Sequence, residues 1–295
     1  MRVFVTGATG FIGSAVVQEL IGAGHQVLGM ARSDEGAKSL MAAGAQVHRG
    51  DLEDLESLRS GAAMSDGVIH LAFNHDFSKY EANCETDRRA IEALGSALAG
   101  CGRPLIVTSG TGLLTSGRLG TEDDAFAPTF PRVASEQAAD AMAARGVRAS
   151  VVRLSPSVHD RSKHGLVTMM IALAREKGIS AYVGEGLNRW PAVHRLDAAH
   201  LYTLALEKGA AGAKYHGVAE EGVRLRDIAE AIGQSLRMPV VTKSPEEAAS
   251  HFGFLGFFVG ADCPASSAQT QERLGWRPTQ PGLISDLEQP SYFET

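Results

Sequence analysis

Eight residues near the start of the chain, Thr6-Gly7-Ala8-Thr9-Gly10-Phe11-Ile12-Gly13, have the types and spacing to cradle a phosphate. Such a group needs bare main-chain N–H donors, the positive end of a helix and no Cβ in its way. Gly7 permits a tight turn, Gly10 lets a pyrophosphate approach the backbone, and Gly13 lets the helix lie close to the strand before it. The loop directly follows the short apolar run Arg2 to Thr6 and opens a helical stretch at Phe11. Thr9, Phe11 and Ile12 complete the candidate contact set. Position, spacing and context together predict a dinucleotide-binding turn; an ordinary βα turn is the plainer alternative.

The next chemically informative point is the end of the second strand, which faces the adenosine ribose in such a turn. An acidic residue there favours NAD, whereas a nearby Arg accommodates the 2′-phosphate of NADP. Here the chain reads Met30-Ala31-Arg32-Ser33, followed by Asp34. Arg32 can pair with phosphate and Ser33 can add a hydrogen bond. NADP is therefore the expected coenzyme, with NAD as the alternative.

These groups need a scaffold that brings strand ends together. Strands are predicted at Arg2 to Thr6, Gln26 to Met30, Ala45 to Arg49, Gly67 to Ala72, Leu105 to Thr108 and Ser150 to Arg153. Helices are predicted from Phe11 to Gly24, Asp34 to Ala43, Glu53 to Ala63, Thr86 to Ala99 and Val133 to Arg145. Strands alternating with helices imply parallel strands joined by crossovers, and apolar runs without period-two alternation imply strands covered on both faces. The expected fold class is α/β, a Rossmann-type doubly wound parallel sheet with helices on both faces. Residues 1–155 should form this cofactor domain. Residues 156–295 should be mostly a smaller substrate-binding region, with some segments returning to the sheet. Helices are expected there near residues 165–177, 197–208, 225–236, 245–258 and 266–274.

Composition narrows the partners. The 28 Lys and Arg against 34 Asp and Glu give a net charge of −6, and no basic run occurs. Nucleic acid or an anionic membrane surface is thus not expected as the main partner, because such binding rests on clustered cations. Three cysteines, none at CxxC spacing, argue against a disulfide framework or structural zinc, so no metal is expected. Arg2-Val3-Phe4-Val5 is too short for the apolar part of a signal peptide, and no run reaches membrane-spanning length. A cytoplasmic protein with a small-molecule substrate is the expectation.

The TGxxGxxG form of the loop resembles the extended or atypical branch of the short-chain dehydrogenase/reductase superfamily, whose members include NAD-dependent epimerases and dehydratases. Gly50-Asp51-Leu52 looks like the segment whose Asp meets the adenine edge, and His70-Leu71-Ala72 like the strand end on the adenosine side. Val107-Thr108-Ser109 resembles the strand that delivers an active-site hydroxyl. Val152 to Pro156, with Ser155, resembles the loop at the nicotinamide. Trp190 to His194, then Asp197, resembles the start of a substrate-domain helix. The resemblance implies cofactor contacts at Gly7, Thr9, Gly10, Phe11, Ile12, Gly13, Arg32, Ser33, Asp51, Leu52, Ala72 and Ser155. It also implies, by analogy, a homodimer paired through two helices of the cofactor domain.

The family's catalytic pattern does not carry over intact. Its members use a Tyr and, four residues later, a Lys on one helix: the Lys lowers the Tyr pKa and the Tyr moves the proton. Counting back from Gly146 to Arg153 places the pair at Arg132 and Glu136. Arg does not act as an ordinary acid or base, and Glu136 carries the wrong charge. The expected hydroxyl position falls on Gly110, leaving Ser109 or Thr111 as donors; Asn83 and Asp87 stand near the family's active-site Asn. His75 after the fourth strand, and His159 and His164 in the loop after Arg153, are alternative acids or bases, because an unperturbed His side chain suits proton transfer near neutrality. Each also reads as a surface or hydrogen-bonded loop histidine. Arg132 is either a ligand for a substrate carboxylate or cofactor phosphate, or a solvated helix-start residue. Trp190 is expected in the core or an interface before a pocket. Phe252, Phe254, Phe257 and Phe258 read first as packing, then as an apolar substrate wall or a dimer contact. The candidate catalytic set is Ser109, Thr111, His159 and Arg132.

Two functions follow from this reading. One is an NAD(P)-dependent oxidoreductase acting on a small-molecule carbonyl, alcohol or sugar-like substrate. The other, favoured by the missing Tyr–Lys pair, is a non-catalytic NADP(H)-binding sensor or regulatory protein.

Overall fold

A computed structural model describes residues 1–112, 114, 117–126, 130–161 and 164–293. Its first half alternates regularly: β1 (Arg2–Thr6), α1 (Phe11–Gly22), β2 (Gln26–Ala31), α2 (Asp34–Ala42), β3 (Gln46–Arg49), α3 (Leu55–Ala63), β4 (Gly67–His70), α4 (Tyr80–Leu98), β5 (Pro104–Gly110), α5 (Val133–Ala144) and β6 (Arg148–Leu154). A 3₁₀ turn at Phe77–Lys79 precedes α4. The second half runs β7 (Ser157–His159), α6 (Leu166–Lys177), β8 (Ser180–Val183), β9 (Arg189–His194), α7 (Arg195–Lys208), β10 (Lys214–Gly217), β11 (Glu220–Arg224), α8 (Leu225–Leu236) and β12 (Val240–Lys243). It finishes with α9 (Pro245–Phe252), α10 (Leu255–Val259), α11 (Ala268–Leu274) and α12 (Leu283–Leu287).

The main sheet has seven strands in the order β10-β6-β5-β4-β1-β2-β3, and every pairing is parallel. Strand order reverses between β1 and β4, so their carboxyl ends diverge and open a crevice there, the usual ligand position in such sheets. One face is buried by α1, α2 and α7, through residues such as Val16, Leu20, Leu40, Leu201 and Tyr202. The other is buried by α3, α4 and α5, through Leu58, Ile91, Leu94 and Met142. This is the doubly wound α/β arrangement expected from the apolar strands.

The second half divides its loyalties. Strand β10 joins the main sheet as an edge and α7 covers it, so both complete the first body. The remainder builds its own core, in which Met170, Ile171, Trp190, Ile228, Ile232 and Phe252 pack together. Two small sheets belong to it, of order β11-β9-β7 and β12-β8. Two expectations need correction. The helix expected over 245–258 is broken at Gly253, whose φ of 56° with ψ of −132° leaves helical space, giving α9 and α10. The helix expected from Thr86 starts at Tyr80, since the polar turn before it runs straight into helical geometry. No helix among the described residues is long and apolar enough to cross a membrane.

The C-terminal segment is held to the start of α7 by one buried carboxylate. Asp197 accepts from the backbone N–H of Thr279 and of Gln280, each at 3.0 Å, and its carbonyl accepts from the Trp276 indole at 3.0 Å. Replacing Asp197 by Ala would leave both amides without an acceptor, at about 1–3 kcal/mol each. The expected outcome is a loss of roughly 2–6 kcal/mol in urea unfolding; an unchanged midpoint and slope would contradict this account of the clamp.

Candidate active site

Helix α1 begins with Gly10 at its N-cap and has neither a side-chain cap nor an acidic residue in its first turn. Its neighbours differ, since Ser33 caps α2 and Asp54 caps α3. The first amides of α1 therefore keep their donors, at the positive end of the helix dipole. The loop also excludes side chains. A Cβ on Gly13 would lie 2.0 Å from the Gly7 carbonyl oxygen; one on Gly7, whose φ is 66°, would lie 2.7 Å from the Ala72 nitrogen. Ala72 in turn donates to the Thr6 hydroxyl at 3.3 Å, which ties β4's end to the loop. Thr9 and Gly10 are exposed and Phe11 and Ile12 half-buried. The Phe11 ring stacks with His164 at 5.0 Å, and the Arg195 guanidinium lies over it at 5.2 Å. A diphosphate fits this cradle of uncapped amides and absent side chains.

At the far end of the cradle, the Arg32 side chain is 80% exposed and reaches within 3.8 Å of the Asp51 carboxylate. Ser33 accepts from the Gly36 amide at 3.1 Å as the α2 cap, and its hydroxyl proton remains to be donated. Asp34, the residue that complicates the coenzyme choice, is paired with Arg49. Asp51 also receives the Glu53 amide at 3.0 Å, while Leu52 packs half-buried against the helix-covered core.

The carboxyl ends of β4 and β5 carry a buried polar chain that sequence spacing did not reveal. The Thr6 hydroxyl lies 2.7 Å from His70 Nδ1, and His70 Nε2 lies 3.1 Å from Asp87 Oδ1. The other Asp87 oxygen accepts from Arg132 at 2.8 Å and from Ser135 at 2.6 Å. Arg132 donates further to the Thr108 carbonyl at 2.9 Å, and its guanidinium lies 4.0 Å above the Phe73 ring. Burial alone would raise the Asp87 carboxyl; the Arg132 charge and the bonds from His70 and Ser135 outweigh it and hold Asp87 below its ordinary value. Arg132 is thus no solvated surface residue, and the carboxylate it grips is internal.

Glu136, one helical turn on, is neutralised in the same way. Arg153 of β6 donates to it at 2.8 Å and 2.7 Å, a two-pronged pair with both side chains buried. Arg153 also donates to the Asp124 carbonyl at 2.8 Å. Both positions at which the resemblance expects Tyr and Lys therefore hold charges that are satisfied inside the protein.

The remaining candidates separate. Ser109, near the end of β5, is buried and its hydroxyl has no partner among the described residues. Thr111 leans on the Leu154 carbonyl through its hydroxyl at 3.4 Å, and Ser155 donates to the Gly217 carbonyl at 2.8 Å, stitching β6 to β10. His159 was expected in a loop but ends β7, because the residues after Pro156 pair with β9. It is buried, with Nδ1 2.7 Å from Asp286 of α12 and its ring 5.4 Å from that of His194. Trp190 is in the core, as expected, and its indole donates to the Phe258 carbonyl at 3.0 Å.

Sequence reading also missed Tyr80, distant along the chain yet at the same edge. Its ring meets Phe73 at 6.4 Å, Phe77 at 6.0 Å and Phe130 at 6.2 Å. Burial pushes its hydroxyl up to about 12, so it stays a neutral phenol that can donate. The apolar spacing around residues 73–80 was its only advance signal.

A seven-stranded doubly wound sheet with an uncapped, glycine-lined first helix defines the class of nicotinamide-dinucleotide folds. The chain belongs to the NAD dependent epimerase/dehydratase family, whose pattern it matches over residues 3–218. It is 53% identical to an uncharacterised protein of Schizosaccharomyces pombe, covering 99% of this chain and all of that one. It is 27% identical to the UDP-glucose 4-epimerase of Streptomyces lividans over 97% of this chain and 94% of that protein. The crystal structure of the dTDP-glucose 4,6-dehydratase DesIV of Streptomyces venezuelae, with NAD bound, superimposes with a TM-score of 0.79 at 20% identity. That match covers 99% of this chain and 96% of the other, and it shows a shared fold.

The Asp87–Arg132 pair gives a direct stability test. Asp87→Asn would leave the Arg132 charge without its counter-ion, a change that costs about 3–5 kcal/mol for a buried pair. A carboxyl held below its ordinary value contributes fully above the unfolded pKa, near 4, and loses that contribution as pH falls through the lower folded value. The variant should therefore be weaker than the parent at neutral pH in urea unfolding, with the gap closing on acidification below about pH 4. A gap that stays constant with pH would refute the ion-pair account.

Proposed function

We propose that the chain is an NADP(H)-dependent oxidoreductase acting on the carbonyl or alcohol carbon of a small molecule. One observation carries this reading: the α1 amides are uncapped in a loop that leaves no space for a Cβ at Gly7 or Gly13. The dehydratase neighbour described with NAD supports a nicotinamide coenzyme on the same fold. Exposed Arg32, with Ser33 beside it, supports the 2′-phosphate form. The bound coenzyme supplies the hydride chemistry; the protein's part is to bind, orient and present donors. In this reading Gly7, Gly10, Gly13 and the amides of Phe11 and Ile12 hold the diphosphate. Asp51, Leu52 and Ala72 border the adenosine. The unpartnered Ser109 hydroxyl, already buried, donates to a substrate oxygen.

A second reading rests on a specific observation. Glu136 is locked to Arg153 where a ribose-binding Lys would stand, which favours a protein that binds NADP(H) and performs no turnover. NADPH oxidation across a panel of ketones, aldehydes and sugar nucleotides separates the two. Turnover that falls at least tenfold in Ser109→Ala supports the oxidoreductase; tight NADPH binding with no turnover on any member supports the sensor.

The coenzyme choice is tested separately. Loss of a charge-assisted phosphate contact costs about 1.5–3 kcal/mol, or roughly ten- to a hundredfold in affinity. Arg32→Ala should weaken NADPH by that factor in calorimetric titration and leave NADH unchanged. Equal weakening of both coenzymes would show that Arg32 does not read the 2′-phosphate.

A further inference from the structure

The loop from Asn74 to Lys79 is exposed throughout, yet one of its rings is docked. Phe77 is 38% exposed on a 3₁₀ turn with no buried residue. It is stacked with Tyr80 of the first body at 6.0 Å and 27°, and with Phe254 of the second at 5.6 Å and 23°. Phe258 meets its edge at 6.1 Å and 68°. The place held by Phe77 is therefore a seat shaped for a flat ring, with walls from both halves of the molecule.

Three features make this seat belong to a ligand. It adjoins the candidate active site, because Tyr80 and the Arg132 guanidinium both pack on Phe73, which follows the end of β4 by three residues. Its second wall has no charge: α10 reads Leu-Gly-Phe-Phe-Val, with nothing to pair with the diphosphate of a sugar nucleotide. The ring that fills it belongs to an exposed three-residue turn whose hydrogen bonds run through Asp76 and Asn83, leaving the Phe77 side chain held in the seat by ring contacts alone. Phe254 at 48% exposure shows that the seat opens to solvent.

We propose that this seat binds the ring of a planar aromatic carbonyl compound, which displaces Phe77 from between Tyr80 and Phe254. The carbonyl part rests on the oxidoreductase reading above; the ring part does not. Aromatic pairs prefer offset-stacked or edge-on contacts at 4.5–7 Å and gain more than area burial alone gives. A flat ring placed there would inherit the stacked partners of Phe77 and the edge of Phe258. Its carbonyl oxygen would then lie toward the Tyr80 and Phe73 side, where the polar groups of the site converge.

The test is calorimetric binding of acetophenone and of cyclohexyl methyl ketone, matched in size but differing in planarity. Each is titrated into the full chain alone and into the chain saturated with NADP⁺, whose oxidised nicotinamide does not reduce a ketone. Acetophenone should bind about tenfold more tightly, the factor expected for one or two stacking contacts. Phe77→Ala should tighten acetophenone binding severalfold by emptying the seat, and Phe254→Ala should weaken it about tenfold. Phe254→Leu, which keeps the bulk, should weaken it in the same direction. Equal binding of the two ketones, no binding of acetophenone, or weaker binding in Phe77→Ala would each overturn the seat. Absence of NADP⁺ binding would remove the oxidoreductase reading, while the ring preference of the chain alone would still decide the seat.

Discussion

A carboxylate buried at the carboxyl-end edge of a parallel sheet must find a cation, and in this protein Asp87 finds Arg132. The pairing organises its surroundings. It orients His70, which reaches Thr6 and so the glycine turn before α1. It also anchors the start of α5 to the end of β5 through the Thr108 carbonyl. Thr108 continues the chain of bonds, donating to the His70 carbonyl at 2.7 Å and meeting the buried Tyr202 hydroxyl at 2.8 Å. The two faces of the sheet, α7 on one and α4 with α5 on the other, are thereby joined through polar contacts at one end. Such a network is strong only when every member is satisfied.

That arrangement explains how the family fold persists without the family's proton carrier. Arg132 remains positively charged and is rigidly placed, so it shapes the electrostatics of the edge without exchanging protons. Glu136 and Arg153 cancel one another beneath it. In the second body, Trp190 fixes the Phe258 backbone, and Phe254 and Phe258 turn their rings toward Phe77 of the first body.

The sheet and glycine loop were legible because local signals agreed with the global fold, from the apolar β1 to the uncapped α1. The place of Arg32, just past the end of β2, was legible for the same reason. The small sheets were not, because β7, β8, β9, β11 and β12 span three to six residues and carry too little periodicity to distinguish strand from loop. His159 was misplaced on that account. The Asp87–Arg132 contact joins residues 45 apart, and no pattern on α4 announces which cation will reach it. Tyr80 was overlooked because its distance along the sequence hid its closeness in space. Gly253 broke a helix that composition alone would have carried through.

The two internal ion pairs also limit what single substitutions at this edge can do. Placing Tyr at position 132 by a single substitution would strand Asp87 as an unmatched buried anion, and placing Lys at 136 would set it against Arg153. Each change is unfavourable unless its buried partner changes with it, so a Tyr–Lys pair can be built at these positions only together with replacements of Asp87 and Arg153.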